Sequence, residues 1–392
     1  MKSFFNRVNN GFKKLLLLLQ LLLFFGLQKK KVKKAKILFF FPFYHTGGAE
    51  RIHLQIVQSV LDVTSFVFFT KISNDSKFYK CFKETTNVGQ IHKFIRHNGL
   101  VKALFLKYLI KNINSAAVVF GCNTEFYYEL LPLLSNNIKK IDLIHAFSFP
   151  DYGIEQFSLP YISYLGKRIV INSRSKEDLI HLYKENNIDD IYIKNIVTIE
   201  NAIKSTFNSK KERFNTFNVG YVGRWAKEKR PELFIKVANA FCTKKLEAQF
   251  LMTGFDPLDI SNKDEFNISY KGILNDKSMV CFYNDIDVLL ITSYREGMPL
   301  AVIEAMLMGV VVISTNIGSI FEHVKNDETG YIIENFSNEK YIVRDMIGAL
   351  NKLYQDRALL ERLSLNSQRY AKATFNINTF NQAYKDILLK NV

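Results

Sequence analysis

The sequence predicts an α/β protein built from two doubly wound units. Short apolar runs recur along the chain, and segments of helical length separate them. The runs lack strict alternation of polar and apolar residues, which is typical of parallel strands covered by helices on both faces. At 392 residues the chain exceeds what one hydrophobic core usually serves, and a hydrophobic content of 48% is enough for two cores.

The strand-like runs fall into two series separated by a polar segment. The first series comprises residues 37–41, 117–120, 141–144, 169–171 and 196–199, and the second comprises 219–222, 249–252, 268–270, 288–291, 310–314 and 331–333. Residues 204–216 are rich in Ser, Asn, Lys and Arg, which is typical of a linker. We therefore expect an N-terminal segment at 1–35, a first domain at 36–203, a second domain at 204–375 and a final helix at 376–392.

The excess of basic residues is concentrated near the N-terminus. The chain has 53 Lys and Arg residues against 37 Asp and Glu, a formal net charge of +16, which favours anionic lipid, nucleic acid or phosphorylated ligands as partners. Lysines at 29–31, 33 and 34 follow an apolar block at residues 15–27. Nucleic-acid binding predicts basic residues interleaved with aromatics along a surface, so this clustering disfavours it.

The apolar block is shorter than the roughly 20 residues that a membrane-spanning helix needs. A signal peptide is disfavoured because lysines stand where a small-residue cleavage site belongs. We expect an interfacial helix whose lysines contact anionic headgroups; a short spanning anchor and a disordered start are the alternatives. The interfacial arrangement places the protein in the cytoplasm, peripheral on the inner face of the cell membrane.

The segment at residues 293–309 carries the strongest chemical signal. It sets Glu296 and Glu304 eight positions apart around a Gly-Met-Pro sequence. Pro299 suits the first position of a helix, where the N–H that proline lacks would have no partner. Glu296 is then expected in a strand-to-helix loop and Glu304 inside the helix, whose free N–H groups favour an anion. The alternative is a helix with one glutamate near its cap and one exposed to solvent.

Two further strand-to-helix turns carry residue types that bind phosphate. Gly47 and Gly48 follow the first strand, where glycine lets the backbone approach a ligand closely. The matching turn of the second unit carries Arg224 and Lys229, which can neutralise a diphosphate leaving group. A plain glycine turn and a solvated basic turn are the alternatives. The glycine loop lacks the G-x-G-x-x-G pattern, which disfavours NAD or FAD.

His145 ends a predicted strand and is expected to project from its carboxyl end toward the cleft between the domains. It either hydrogen-bonds a substrate hydroxyl or is a satisfied buried histidine. The cysteines show no C-x-x-C and no paired histidine spacing, so we expect neither a metal site nor disulfides, and a reducing setting. They are Cys81, Cys122, Cys242 and Cys281.

Together these motifs resemble those of the retaining glycosyltransferases of family 4, from about residue 36 to the C-terminus. Residues 287–309 are similar to the family's E-x7-E segment almost position for position, which is a specific signal. Gly47 and Gly48 resemble its glycine loop, and Arg224 and Lys229 its phosphate-binding pair. The resemblance implies the GT-B fold, in which two Rossmann-like doubly wound domains face each other and a C-terminal helix crosses back to the first.

The resemblance also implies roles for single residues. Glu304 would bind the ribose of a nucleotide sugar, and Glu296 would act as a catalytic residue that contacts and orients the transferred sugar. Arg224 and Lys229 would hold the diphosphate, and His145 would contact the acceptor or the donor sugar as a second catalytic residue. The remaining positions are Gly47 on the acceptor side, with Gly48, Gly272, Ile273, Gly297, Met298 and Leu300 on the donor side.

Two positions depart from the family pattern. Residues 200–202 read Glu-Asn-Ala where the family usually has Pro-Asn-Gly, and Arg230 stands where a glycine usually follows the lysine. We expect the additional arginine either to add phosphate affinity or to face solvent. Neither departure removes a residue with an implied catalytic role.

The implied reaction transfers a sugar from a nucleotide sugar, a UDP-sugar before a GDP-sugar, to an acceptor hydroxyl with retention of anomeric configuration. No cofactor or metal is expected, since Arg, Lys and helix amides supply the positive field. The implied setting is the biosynthesis of surface polysaccharide, lipopolysaccharide or glycolipid, with a glycan or lipid-linked acceptor. A nucleotide-sugar epimerase, another GT-B enzyme, and a non-catalytic GT-B module that binds a glycan or a partner are the alternatives.

Overall fold

A computed structural model describes residues 2–96, 99–148, 152–203, 216–242, 247–256, 268–334 and 338–390, with side chains from residue 13 onward. The chain divides into two compact units, Met1–Ile199 with Asn381–Val392 and Glu200–Phe380. Each unit has its own parallel sheet with helices, which confirms the predicted α/β class with two Rossmann-like units. Residues 204–215 of the expected linker lie outside the described residues.

The first unit contains a seven-stranded parallel sheet in the order β3-β2-β1-β4-β5-β6-β7. Every residue of β1 and β2 is buried, as expected for apolar strands covered on both faces. The strands are β1 Ile37–Phe41, β2 Ser65–Phe69, β3 Asn87–Gln90, β4 Val118–Cys122, β5 Lys139–Ile144, β6 Lys167–Val170 and β7 Ile196–Thr198.

Helices of the first unit connect these strands. The helix after β6 begins where the Asn172 side chain accepts a hydrogen bond from the Ser175 N–H at 2.7 Å, an N-cap interaction. The helices are α1 Lys2–Lys34, α2 Gly48–Gln58, α3 Lys77–Thr85, α4 His92–Ile95, α5 Leu100–Asn112, α6 Glu125–Leu130, α7 Ile154–Phe157 and α8 Ser173–Glu185, with short 3₁₀ turns at Leu131–Leu133, Leu159–Tyr164 and Asp190–Asn195.

The second unit contains a six-stranded parallel sheet in the order β10-β9-β8-β11-β12-β13. Its strands are β8 Phe217–Val222, β9 Ala248–Thr253, β10 Ile268–Tyr270, β11 Val288–Ile291, β12 Val311–Thr315 and β13 Gly330–Ile333. Its helices are α9 Pro231–Cys242, α10 Asp276–Asp285, α11 Leu300–Leu307, α12 Ile320–His323, α13 Glu339–Gln355 and α14 Arg357–Thr374, with a 3₁₀ turn at Lys227–Lys229. The apolar positions at helical spacing in α13, including Ile342 and Leu350, are fully buried.

Three details differ from the sequence prediction. Strands β2 and β3 of the first sheet were not predicted. Pro299 is the N-cap residue of α11 and not its first helical residue, because its ψ of 131° is extended and the helix begins at Leu300. A proline at this position still costs the helix no hydrogen bond, since N-cap N–H groups lie outside the helical ladder.

The N-terminal apolar block is partly a component of the first core. Leu21 and Val32 of α1 are fully buried, and the Phe25 ring stacks on Tyr108 of α5 with centroids 4.0 Å apart. Phe24 meets the Phe94 ring edge-on at 5.4 Å. The sequence analysis did not expect this packing of α1 within the first unit, and the association of the block with a membrane stays a prediction. Within the parts of the chain that the structure describes, no helix is long and apolar enough to cross a membrane.

The last helix, α15 Ile377–Leu389, returns the chain to the first unit, as the fold class predicts. Tyr384 is fully buried there, with its ring 6.4 Å from that of Phe120 in β4. Lys385 pairs with Asp62 at 2.7 Å, and the Lys139 ammonium donates to the Lys390 carbonyl at 2.8 Å. The C-terminal residues thus complete a unit whose other part ends at Ile199.

Candidate active site

Apart from Gly48, which begins α2 of the first unit, the residues expected to bind the donor lie at one edge of the second sheet. All six strands of that sheet are parallel, so the segments that follow them emerge at the same edge. Arg224 and Lys229 follow β8, Gly272 and Ile273 follow β10, and Glu296 follows β11. The strand order places β8 between β9 and β11, so the basic turn and the glutamate loop leave adjacent strands.

Lys229 and Glu296 form an ion pair across these two loops. The Lys229 ammonium contacts Glu296 Oε1, and the Ser293 hydroxyl donates to the same oxygen at 2.9 Å. The two side chains are 21% and 13% exposed, so their charges interact in a partly desolvated environment. The structure therefore brings together the predicted phosphate-binding lysine and the predicted sugar-binding carboxylate.

Arg224 lies apart from that pair, at the solvent side of the turn. Its side chain is 74% exposed and donates to Glu228 Oε1 at 3.1 Å. An exposed pair of this kind contributes little to stability, so the arginine can leave it at small cost. The expected coupling of Arg224 with Lys229 as two diphosphate ligands remains a prediction.

Arg230 does not face solvent, which was one of the two expectations from the sequence. It is buried, and its guanidinium donates from Nε to the Thr292 carbonyl at 2.7 Å and from Nη2 to the Ser293 carbonyl at 2.9 Å. Both acceptors belong to the loop after β11. The expectation of a solvent-facing arginine was therefore wrong, and the alternative of added phosphate affinity stays a prediction.

Further hydrogen bonds fasten the basic turn to the glutamate loop. The Thr292 hydroxyl lies 2.9 Å from the carbonyls of Lys229 and Arg230, and the Tyr294 N–H donates to the Glu228 carbonyl at 3.0 Å. These bonds hold the segment that carries Lys229 against the segment that carries Glu296. The ion pair is thus positioned by backbone contacts on both sides.

Glu304 lies inside α11 and is buried. Its Oε2 accepts a hydrogen bond from the Tyr283 hydroxyl at 2.8 Å. The prediction that Glu296 lies in a loop and Glu304 in the following helix is confirmed. The alternative, in which the second glutamate is exposed to solvent, is wrong. Met298 is also buried, whereas Gly297 in the loop and Leu300 at the start of α11 are partly exposed.

The backbone of the Glu296 loop is packed against the turn after β12. Gly318 has φ of +54°, and a Cβ there would lie 2.2 Å from the Gly297 carbonyl oxygen and 2.4 Å from that of Glu296. The Ser319 N–H donates to the Gly297 carbonyl at 3.0 Å. A side chain at position 318 would therefore displace the loop that carries Glu296.

The residues expected near the base occupy the turn after β10. The Gly272 carbonyl accepts from the Thr253 hydroxyl at 2.6 Å and from the Gly254 N–H at 3.0 Å, which ties this turn to the one after β9. Gly254 in turn packs on Gly223, because a Cβ added to Gly254 would lie 2.6 Å from the Gly223 carbonyl oxygen. Ile273 is 71% exposed, so its apolar side chain is accessible to a ligand.

In the first unit the glycine loop connects β1 to α2. Gly47 is the N-cap residue of α2 and Gly48 its first residue. The loop before them is held by side chains from the turn after β2, because the Thr46 N–H donates to Asp75 Oδ2 and the Tyr44 N–H to the Ser73 hydroxyl, both at 2.8 Å. The predicted strand-to-helix position of the two glycines is confirmed.

His145 lies beyond β5 and pairs with a histidine that the sequence analysis did not select. Its Nε2 is 3.1 Å from Nε2 of His53, a buried residue of α2 whose ring stacks on Phe41 at 4.2 Å. Burial lowers the pKa of His145 to about 4, and burial together with His145 holds the pKa of His53 well below its usual value. Both rings are therefore neutral at pH 7.

Cys122, at the end of β4, is the third member of this group. One ligand atom from each of Cys122, His53 and His145 lies within 4.8 Å of the others. The strand order explains the meeting, since β1, β4 and β5 are neighbours and α2 follows β1. A signal existed in the sequence, because Cys122 and His145 stand at the carboxyl ends of consecutive strands.

Comparison with known proteins supports a relationship in sequence as well as fold. Residues 203–370 match the family described as Glycosyl transferases group 1. The chain is 27% identical over 297 residues to the O-antigen biosynthesis glycosyltransferase WbnH of Escherichia coli, covering 72% of this chain and 79% of WbnH. It is 25% identical over 220 residues to the capsular polysaccharide biosynthesis glycosyltransferase CapM of Staphylococcus aureus, covering 54% of this chain and 56% of CapM.

A solved structure agrees over nearly the whole chain. HepE of Anabaena, determined in complex with UDP and glucose, aligns with a TM-score of 0.70 and 15% identity, covering 91% of this chain and all of HepE. At that identity the agreement establishes the fold alone. The chain has the GT-B fold, and the family match over residues 203–370 together with the named relatives supports a glycosyltransferase function.

Proposed function

We propose that this glycosyltransferase moves a sugar from a nucleotide sugar to an acceptor hydroxyl with retention of anomeric configuration, as a member of family 4. The observation that carries the proposal is the Lys229 and Glu296 pair at the carboxyl edge of the second sheet. In such a pair the lysine ammonium can bind a diphosphate, and the carboxylate can accept hydrogen bonds from sugar hydroxyls. A UDP-sugar is the first candidate donor, since the structurally similar HepE was solved with UDP.

The nucleotide would be held by residues of three loops. Glu304 Oε2 accepts a hydrogen bond from the Tyr283 hydroxyl, and a carboxylate is the kind of acceptor that would bind a ribose hydroxyl. Lys229 would contact the diphosphate, and the exposed Arg224 would leave Glu228 to contact it as well. The turn at Gly272 and Ile273 would contact the base.

The chemical step would need no group beyond the substrates and these side chains. The bond between the anomeric carbon and the diphosphate oxygen breaks, a bond to the acceptor oxygen forms on the same face, and the acceptor proton passes to the departing phosphate. Lys229 and Arg224 stabilise the negative charge that develops on the phosphate. Glu296 would orient the transferred sugar. The roles that the sequence implies for His145, Gly47 and Gly48 belong to the first unit and stay predictions.

Nucleotide binding can be tested with full-length protein and a panel of UDP-, GDP- and other nucleotide sugars. We expect one base to raise the unfolding temperature selectively, because a ligand at 100 times its dissociation constant stabilises a protein by about 2.7 kcal/mol. Lys229→Gln and Glu304→Gln should each weaken the shift. Lys236→Gln is the matched control, because Lys236 forms an exposed ion pair with Glu339 in the same unit.

The reaction itself separates the remaining possibilities. With acceptor present, the expected product has the anomeric configuration of the donor, and Glu296→Gln should lower kcat more than it changes nucleotide affinity. An inverted product would contradict the retaining assignment. Conversion of the nucleotide sugar to an epimer without acceptor would instead favour an epimerase, and nucleotide binding equal in Lys229→Gln and the parent would remove Lys229 from the site.

We also propose that the protein associates with anionic membrane through the exposed face of α1, on the inner face of the cell membrane. One face of α1 packs into the first core through Leu21 and Phe25, and the opposite face carries a row of exposed leucines. We call this row the leucine strip: Leu15, Leu16, Leu19, Leu22, Leu23 and Leu27. Exposed lysines stand at both ends of it, at 13–14 and 29–34.

An anionic lipid surface matches both parts of this face. Leucines at helical spacing suit the boundary between headgroups and acyl chains, and each lysine near an anionic surface contributes about 1 kcal/mol of attraction. A membrane partner also accounts for an uncovered apolar row, which soluble monomers seldom retain. A lipid-linked glycan acceptor in the same membrane would then be concentrated near the enzyme.

Membrane association can be tested by sedimentation with vesicles. Full-length protein should pellet with vesicles that contain phosphatidylglycerol and not with vesicles of phosphatidylcholine alone. The triple variant Leu19→Gln, Leu22→Gln, Leu23→Gln should no longer pellet with the phosphatidylglycerol vesicles. The control is Leu61→Gln with Ile191→Gln, since both side chains are exposed elsewhere in the first unit. Deletion of α1 is unsuitable because it would remove core residues. If the parent self-associates and the triple variant does not, the leucine strip binds a second copy of this chain and not a membrane.

A further inference from the structure

We propose that His53, Cys122 and His145 form a binding site for a zinc-class divalent cation. Two imidazoles and one thiolate are ligands that zinc prefers, and three protein ligands leave one position open for water or another ligand. No residue of this trio was expected to bind metal from the sequence. The proposal does not depend on the transfer reaction, because metal binding can be measured without substrate.

The fold fixes the three side chains from three separate elements. His53 lies on α2, Cys122 at the end of β4, and His145 just beyond β5. These elements are adjacent because β1, β4 and β5 are consecutive in the sheet. Two of the side chains are fully buried, and His53 is further held by stacking on Phe41. A site on such a scaffold needs little reorganisation to bind an ion.

The distances suit a metal after small movements. The two Nε2 atoms are 3.1 Å apart, close to the roughly 3.3 Å that separates two nitrogens bound to one tetrahedral zinc at about 2.0 to 2.1 Å each. The ligand atoms of all three residues lie within 4.8 Å of one another. In the absence of an ion, one histidine donates its single proton to the other.

The electrostatic surroundings favour a cation over a free thiolate. Among the residues described by the structure, no hydrogen bond to the Cys122 thiol is found, and burial with the carboxylates of Asp142 and Glu50 raises the pKa of that thiol. The same carboxylates would attract a divalent ion, although the buried Arg168 guanidinium, 2.6 Å from Asp142 Oδ2, offsets part of the charge of Asp142. Binding would release the thiol proton to solvent and form a bond from the thiolate sulfur to the metal, so one proton leaves as each ion binds.

An occupied site would also act on His145. The ion would bond to Nε2 of His145 and replace the hydrogen bond between His145 and His53, which fixes the ring and leaves only Nδ1 for other partners. His145 is the most exposed of the three, so the open coordination position would lie on its side of the cluster.

The site can be tested by titrating Co²⁺ and Zn²⁺ into full-length protein that carries no histidine tag and has been treated with a chelator. Bound Co²⁺ should give an absorption band from thiolate-to-metal charge transfer at one ion per chain, and Zn²⁺ should displace it. Cys122→Ser should abolish the band. His145→Ala, which removes the least buried ligand, should weaken binding about tenfold or more.

Matched controls separate this site from other thiols. Cys81→Ser and Cys281→Ser change cysteines that lie outside the cluster, and both should keep the band and the affinity of the parent. Circular dichroism of each variant establishes that it is folded. The proposal fails if the folded parent gives no thiolate band, or if the band persists in Cys122→Ser.

Discussion

Arg230 adopts a backbone conformation that a long side chain seldom takes. Its φ of 47° and ψ of 54° lie in the left-handed region, which costs a non-glycine residue about 1 to 2 kcal/mol. The two hydrogen bonds from its guanidinium to the loop carbonyls offset that cost. A glycine at this position would adopt the same conformation without strain, but it could not fasten the turn to the Glu296 loop.

This balance predicts an order of stability. Arg230→Ala keeps the backbone strain and loses both hydrogen bonds, so we expect a loss of about 1 to 3 kcal/mol. Arg230→Gly loses the same bonds but relieves the strain, so it should be more stable than the alanine variant by about 1 kcal/mol. Chemical unfolding measures both. An alanine variant as stable as the glycine variant would show that residue 230 is not strained.

His323 should contribute to the pH dependence of stability. It is buried, its Nδ1 lies 3.0 Å from the Tyr370 hydroxyl, and burial lowers its pKa below 6.5. The unfolded chain therefore takes up this proton more readily than the folded chain. The stability that the neutral ring provides is complete above pH 6.5 and is lost as the pH falls toward the lowered pKa.

The measurement is the unfolding temperature between about pH 7.5 and 5, a range that spans the ordinary pKa of histidine. We expect His323→Asn, which keeps a polar group near Tyr370, to be less stable than the parent at the upper end of this range and to lose less on acidification. His181→Asn is the control, since that side chain is 76% exposed. Identical slopes in the parent and His323→Asn would contradict the assignment.

At the scale of elements, Gly318 links the turn after β12 to the loop that carries Glu296. A methyl group at this position would meet the carbonyl oxygens of Gly297 and Glu296 at 2.2 and 2.4 Å, and both belong to backbone. Gly318→Ala should therefore move the Glu296 loop and reduce the nucleotide-dependent rise in unfolding temperature by more than half. A loop that tolerated the methyl group would leave that rise unchanged.

Gly348 provides the control for this prediction. It lies in the middle of α13 and is exposed, and no atom lies within 4 Å of the place that a methyl group would occupy there. Alanine is favoured over glycine in a helix by about 0.5 to 1 kcal/mol, so Gly348→Ala should stabilise the protein slightly. Its nucleotide response should equal that of the parent.

Elements with strong apolar runs could be predicted from the sequence, and short or edge elements could not. The run at 37–41 coincides with β1, and that at 288–291 with β11. β3 is an edge strand with the sequence Asn-Val-Gly-Gln, whose Asn and Gly are typical of turns, and only one of its residues is buried. β2 is apolar and fully buried, so its sequence carried a signal that the prediction did not use.

The candidate site was predictable where a motif is local. Glu296 and Glu304 lie within one segment, and their loop and helix positions follow from its spacing. The Lys229 and Glu296 pair depends on two strands being neighbours although 67 residues separate them. His53 meets His145 for the same reason, across 92 residues. Such contacts require the strand order, which sequence periodicity does not contain.

At the scale of the whole molecule, the C-terminal residues stabilise the first unit, although the whole second unit lies between them and the rest of the first unit in the sequence. Residues 381–392 belong with residues 1–199, and Tyr384 is their most deeply buried side chain. Replacing a buried aromatic with alanine costs about 3 to 5 kcal/mol. Tyr384→Ala should therefore destabilise the first unit, although the residue follows the whole of the second unit in the chain.

Hydrogen exchange followed by mass spectrometry can assign this loss to a unit. In Tyr384→Ala, peptides from β1 and β4 should exchange faster, because Phe120 of β4 loses a packing partner. Peptides from β8 and α11 should still gain protection from the nucleotide, since the residues proposed to hold its ribose and diphosphate belong to the second unit. Tyr384→Phe keeps the ring and should behave nearly as the parent. Equal acceleration in both sheets of the alanine variant would mean that the two units unfold as one, and the stability of the donor site would then depend on the last helix.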